Sequence, residues 1–385
     1  MKKIAIIGAS YLQEPLISLA KNMGIETHVF AWAAGDVGEK IADRFYPISI
    51  VEKEEILSVC QKIGVDGICS IASDLAMVTV NYVAEKMGLA GNSFNATLKS
   101  TNKHLMREAF KAAGDPSPES VEVDTDTDLS ALGFTYPVIV KPTDRSGSRG
   151  ICKVYDKSLL EKAVKVAIEQ SFEKKALIEE FCEGKEYSVE FISQNGEHQF
   201  LAITEKFTTG APHFIETGHI EPPDLNPETE KKVIKIVEHA LTTLSIKNGA
   251  SHTEVKIDKN GVIKIIETGG RMGGDFIGSD LVKLHTGFDF VRAVIDIALG
   301  INYKEDKECF TDDKSAAAVR FIFGENDIKV YEKLLREHKE YIVSKEIGTP
   351  DKEVTDSASR FGYYLFKAEK REDLLSYLPE SENNE

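Results

Sequence analysis

Between residues 3 and 87, short apolar runs alternate with longer stretches of helical spacing, and no other feature restricts the fold as strongly. Residues 3–7 form an apolar run ending at Gly8, residues 15–23 have helical periodicity, and residues 26–30 read as a second strand. A helix over 53–63, a buried-type strand over 67–71 and a helix over 75–87 continue the series. Units of β-α-β at these lengths predict a parallel sheet with helices on both faces. Gly8 stands outside any Gly-x-Gly-x-x-Gly pattern, so a dinucleotide site is not expected here.

At 385 residues the chain is longer than one ordinary domain, and two or three packed modules are expected. The net charge of −16 disfavours nucleic acid and anionic membranes as partners, since no basic patch offsets it. Five cysteines, Cys60, Cys69, Cys152, Cys182 and Cys309, lack the close spacing of zinc or redox pairs and read as reduced thiols. The first residues show no signal-peptide pattern and no run is long enough to span a bilayer, so the expected location is the cytoplasm.

Turn formers over 91–95 separate this unit from the next. A strand over 136–141 leads into the small-residue loop Ser146-Gly147-Ser148-Arg149-Gly150, closed by a strand over 151–155 and followed by a helix over 158–170. Residues 176–181, 186–194 and 199–206 read as strands of one antiparallel sheet. Two more strands, 251–258 and 262–267, flank Lys259-Asn260-Gly261, where Asn-Gly favours a tight hairpin. Residues 306–379 read as a small α+β module with strands over 316–323 and 361–367, and residues 380–385 as a disordered tail.

Several of these segments carry chemistry. Glycines in the 146–150 loop let backbone N–H groups approach phosphate oxygens, although the loop taken alone fits a plain hairpin turn better. Lys141, ending an apolar strand just before it, changes that balance by pointing an ammonium at the same place. The hairpin is sharper evidence, because its strand spacing sets Glu254 and Glu267 side by side on one face. Like charges opposite one another on a sheet are destabilising unless a cation compensates, and an oxygen-only pair suits Mg²⁺. Directly after it, Gly269, Gly270, Gly273 and Gly274 surround Arg271, a pattern that lets backbone crowd a ligand around one guanidinium. In the stretch 208–223, His213, Glu216, His219 and Glu221 either recognise an ammonium and a carboxylate or simply cover a site.

An ordered series runs through the chain: Asn-Lys-His-Leu-Met-Arg-Glu at 102–108, Val-Lys-Pro at 140–142, Gly-Ser-Arg-Gly at 147–150 and Glu-Glu-Phe-Cys at 179–182. It continues with Gly-Lys-Glu-Tyr-Ser-Val-Glu at 184–190, His-Thr-Glu at 252–254 and Glu-Thr-Gly-Gly-Arg at 267–271. In this order the set resembles the ATP-grasp superfamily, and within it the L-amino-acid ligase and carbamoyl-phosphate-synthetase-like carboxylate-amine ligases. The resemblance covers residues 1 to about 300, with a looser match around Arg360-Phe361-Gly362-Tyr363. It implies an α/β and α+β protein with the ATP-grasp fold: an N-terminal parallel α/β (pre-ATP-grasp) domain over 1–92, an ATP-grasp domain over 93–305 with a lid subdomain at about 115–185, and a small C-terminal α+β module over 306–385.

Roles follow by position from the same resemblance. Lys103 and Lys141 contact ATP phosphates, and the loop of Ser146, Gly147, Ser148, Arg149 and Gly150 closes over them. Glu179 meets the adenine amino group, with Glu180 beside it, while the backbone at Phe181 and Cys182 takes the ring edge. Glu186 holds the ribose, and Ile139 and Ile266 sandwich the adenine. Glu254 and Glu267 bind one or two Mg²⁺, for which Mn²⁺ can substitute. Arg271 and His252 face the transferred phosphoryl group and the acyl intermediate, with Lys141 as the third residue of the catalytic set. Substrate contacts fall to His213, Glu216, His219, Gly270, Gly273 and Gly274. The metal motif of the family usually has Asn two residues after the second Glu, where this chain has Gly269. The implied activity joins a small acid or amino acid to an amine through an acyl phosphate. Phosphoryl transfer of the carbamoyl-phosphate type and nucleotide binding without turnover are the alternatives. The expected partners are the two small substrates, and the sequence leaves a homodimer open.

Overall fold

The computed structural model describes residues 1–145, 149–211, 214–312 and 314–379. Its first sheet is parallel, with strand order β3-β2-β1-β4 for β1 (Lys3–Ile7), β2 (Glu26–Phe30), β3 (Arg44–Tyr46) and β4 (Gly67–Cys69). The helices Glu14–Asn22, Lys53–Ile63 and Asp74–Met87 bury apolar stripes against it, as their spacing predicts. Sequence reasoning missed β3 and the short helix Val37–Ile41, because three- and five-residue elements carry too little periodicity to register.

A second sheet, ordered β5-β8-β6-β7, is built from β5 (Ser120–Val123), β6 (Val138–Pro142), β7 (Cys152–Val154) and β8 (Ala176–Glu180). The third is an eight-stranded sheet. Its strands are β9 (Lys185–Gln194), β10 (Glu197–Thr208), β11 (Glu216–Glu221), β12 (Gly249–Ile257), β13 (Ile263–Gly269), β14 (Ala316–Phe321), β15 (Ile342–Ile347) and β16 (Gly362–Ala368). Their order is β13-β12-β9-β10-β11-β14-β16-β15.

One expectation needs correction here. Residues 176–181 do not share a sheet with 186–194 and 199–206: β8 pairs with β5 and β6 instead. The chain changes sheets at Gly184, whose φ of +109° and closeness to the Ile257 carbonyl exclude a side chain. The C-terminal strands extend the eight-stranded sheet, β14 pairing antiparallel with β11. Periodicity reports which face of a strand is buried but not which strand lies beside it. The expected disordered tail, residues 380–385, lies outside the described residues.

Among the described residues no helix is long and apolar enough to cross a membrane. All five cysteines are free thiols.

Candidate active site

The helix Lys103–Ala113 starts at Asn102, whose side chain accepts the Leu105 N–H at 3.0 Å. Its buried positions, Lys103, Met106, Arg107 and Phe110, recur at helical spacing, so two cations share the face turned inward. Lys103 Nζ donates to Glu267 Oε1 at 2.7 Å and to the Arg145 carbonyl at 2.8 Å. Arg107 Nη2 donates to the Ile266 carbonyl at 2.5 Å, and its Nε lies 2.9 Å from Glu179 Oε1.

Lys141, on β6, reaches the other oxygen of Glu179 at 2.6 Å. Burial alone would raise the Glu179 pKa, but Arg107 and Lys141 outweigh it and hold the carboxyl below its ordinary value. Burial also pulls the Lys141 pKa down, against the pull of Glu179. The two residues expected at phosphate and adenine are thus tied to each other in this structure.

The hairpin forms as predicted, with Gly261 at φ +77° and Glu254 directly opposite Glu267 across β12 and β13. The compensating cations are Lys206, on β10, at Glu254 and Lys103 at Glu267. Lys206 Nζ is 2.7 Å from Glu186 Oε1, 2.6 Å from Glu254 Oε1 and 3.8 Å from Glu216 Oε1. Burial would lower its pKa, yet these three carboxylates drive it well above the ordinary lysine value. Glu254 correspondingly falls well below its ordinary value, Lys206 and His252 together overcoming burial.

His252 is held by Glu190 through Nδ1, with Nε2 3.6 Å from Glu254 Oε1. Burial opposes its charge, but Glu190 prevails and the pKa rises to about 9, so the ring is an imidazolium at neutral pH. Arg271 is gripped by Asp74 through two contacts of 2.9 Å, Nε to Oδ1 and Nη2 to Oδ2. That bidentate pair joins the segment after β13 to the first turn of the helix Asp74–Met87.

Two neighbouring cavities meet at these residues. The first, about 170 Å³, runs from an apolar slot of Ile139, Ile151, Ile266, Phe181 and Cys182 to Glu254, Glu267 and Arg271. The second, about 290 Å³, shares Lys206, Glu216, His252, Glu254 and Arg271 and is walled by Tyr11, Ala72, Asp74, Arg149, Gly274 and Ser357. Glu216 and His219 both face it. Burial raises the Glu216 pKa against the pull of Lys206, and lowers that of His219 to about 3.

The remaining expected site residues have these surroundings. Glu180 lines the first cavity and pairs with Lys264 at 3.2 Å. The Phe181 ring lies 3.6 Å from Lys153 Nζ, and burial pushes the Cys182 thiol up to about 11, which leaves it a poor nucleophile. Gly270 backs onto Ser100 and Ile246. Gly273 serves the protein's own dyad: its N–H donates to Glu190 Oε2 at 2.9 Å, and a Cβ there would sit 2.9 Å from His252 Nδ1. Glu221 is fully buried and hydrogen-bonds Thr204, away from both cavities. Ser146, Gly147, Ser148 and His213 lie outside the described residues, whereas Arg149 and Gly150 border the loop expected to close over phosphate.

Four residues escaped sequence reasoning: Lys206, Arg107, Glu190 and Asp74. Lys206 ended a predicted strand just as Lys141 did, and Arg107 lies one helical turn from Lys103, so each left a local signal. Glu190 was inside a quoted motif. Asp74 left none.

This combination of fold and cleft defines the class of protein. Residues 134–280 match the ATP-grasp domain family, and the chain has the ATP-grasp fold. Among particular relatives, it is 30% identical over 268 residues to alanine–anticapsin ligase of Bacillus subtilis, an alignment covering 63% of this chain and 56% of that one. The chain therefore spans little more than half the length of the curated relatives it matches. Its structure superposes on that of an L-amino acid ligase from Bacillus licheniformis with a TM-score of 0.82, at 24% identity, covering 98% of this chain and 96% of the other. The ADP complex of an N5-carboxyaminoimidazole ribonucleotide synthetase gives 0.78 at 18% identity, covering 98% and 95%.

Proposed function

We propose that this protein is an ATP- and Mg²⁺-dependent carboxylate-amine ligase that works through an acyl phosphate. The observation that carries the reading is the register-paired Glu254 and Glu267 at the polar end of an apolar slot, with Glu254 also lining a second, polar-walled cavity. The slot suits a purine, and Lys103, Lys141 and Arg271 stand on its path toward the second cavity.

Glu254 and Glu267 are an oxygen-only donor pair in a cleft rich in lysine, which fits a hard divalent cation and would hold Mg²⁺, or Mn²⁺ in its place. Bound there, Mg²⁺ would neutralise charge on the transferred phosphoryl oxygens. Lys103 and Lys141 exchange their carboxylate partners for ATP phosphates, so that binding replaces one set of charge contacts by another. A substrate carboxylate oxygen attacks the γ-phosphorus and ADP leaves. The amine nitrogen then attacks the acyl carbon, the C–O bond to phosphate breaks, and the nitrogen gives up a proton to solvent. Arg271 and the cationic His252 stabilise negative charge at the acyl and phosphoryl oxygens, a role for fixed charges and not for a base.

A screen for ADP release with amino acids and small acids, singly and in pairs, tests this. Release should require an acid together with an amine. Release from ATP alone, or with bicarbonate alone, would refute the ligase reading, and so would its failure across the whole screen.

A further inference from the structure

Gly269 stands where the family pattern has asparagine, and the structure shows what the glycine makes room for. Its φ is not in the left-handed region, so the backbone does not demand glycine. Space does: a Cβ at this position would lie 2.5 Å from Asp74 Oδ1 and 3.3 Å from Arg271 Nε. Asp74 cannot step aside cheaply, because both its oxygens are engaged by Arg271. Its carboxyl is held below the ordinary value, Arg271 overcoming the burial penalty. The Asp74 carboxylate therefore occupies the volume that an asparagine side chain at 269 would need.

We propose that Asp74, a carboxylate from the N-terminal α/β unit, is the positioning residue for Arg271, and that position 269 is glycine because a side chain there would collide with that carboxylate. This rests on the ligase reading for what Arg271 does, but the pairing itself is a property of the fold. With Nε and Nη2 fixed by Asp74, and Nη1 donating to the Met272 carbonyl at 3.2 Å, the guanidinium has one orientation in the cleft. The other end of the clamp is set by Ser73, which caps the helix by accepting the Ala76 N–H at 3.3 Å. A loop of the first sheet thereby fixes a group that acts at the third.

The test is a cycle of four full-length proteins: wild type, Asp74→Ala, Gly269→Asn, and the double variant. Asp74→Ala leaves a partly buried guanidinium without its carboxylate and Gly269→Asn drives a side chain into Asp74, so each single change should lower the thermal midpoint. In the double variant the carboxylate that a side chain at 269 would strike is gone, so the losses should be clearly less than additive. Additive losses would overturn the steric link between the two positions. At a temperature where all four are folded, Asp74→Ala should keep its calorimetric affinity for ADP with Mg²⁺. Its kcat for ADP release, with the best acid and amine pair, should fall about 100-fold, as expected for a displaced catalytic group. An unchanged kcat in folded Asp74→Ala would overturn the positioning role. Failure of the ligase reading looks different: wild type itself would release no ADP, while the stability cycle would still report on the pair.

Discussion

Replacing Lys206 by methionine isolates the electrostatics of the carboxylate cluster. The side chain is 3% exposed and its ammonium is 2.7 Å from Glu186 and 2.6 Å from Glu254. At an effective dielectric of about 20, each such contact is worth about 6 kcal/mol before desolvation. Much of that offsets the cost of burying the charges, and removing one partner of a buried cluster costs about 3–5 kcal/mol net. Methionine keeps most of the volume, so the loss is one of charge. Unfolding followed by circular dichroism at pH 7.5 should show the variant destabilised by about that amount. Two further readings separate charge from packing. Mg²⁺ should stabilise the variant more than wild type, because Glu254, beside Glu267, has lost its ammonium partner. The gap should also narrow as pH falls. In wild type the depressed Glu254 pKa contributes stability above its unfolded value that is lost on acidification, whereas in the variant the carboxylates take up protons more readily. A destabilisation indifferent to both Mg²⁺ and pH would refute the reasoning.

His252→Gln should remove a pH-dependent contribution: with a folded pKa of about 9, the wild-type pair is worth about 3 kcal/mol below pH 6.5, lost as pH rises through 9. Unfolding free energies of wild type and variant should therefore converge between pH 6 and pH 10, and a constant difference would contradict the assignment. Lys141→Met should abolish ADP release while lowering stability by only about 1–3 kcal/mol, since Arg107 still faces Glu179; unchanged kcat/KM would remove Lys141 from the site. Glu267→Gln should raise the Mg²⁺ concentration needed for half-maximal ADP release by about tenfold or more, as a neutral amide is a poor ligand for a hard cation. An unshifted Mg²⁺ curve would place the metal elsewhere.

The hairpin that carries Glu254 and Glu267 was legible from the chain because an Asn-Gly turn and two strands are local, but their direct opposition depends on a register shift between Glu254 and Val255 that spacing does not report. Lys103 and Arg107 were half legible, as helical spacing shows that they share a face but not that the face looks onto Glu179 and Glu267. Residues 176–181 were read as a strand correctly and assigned to the wrong sheet, because the Gly184 crossing depends on where Ile257 lies in space. Asp74 was invisible. It meets Arg271 across 197 residues of sequence, and an aspartate opening a helix after a capping serine has a sufficient local explanation.

The pairing of β11 with β14 makes residues 316–379 a structural wall of the cleft. β11 carries Glu216 and His219, and Ser357 and Arg360 reach back to hold Glu216 by its carboxylate and its carbonyl. Cutting the chain ahead of β14 would do more than shorten it. The flank of β11 would become an open edge with unpaired N–H and C=O groups, a template for sticking to another molecule. Deletion of this segment would then read in a functional assay as a point mutation at Glu216 and His219, and in a solubility assay as an aggregating strand.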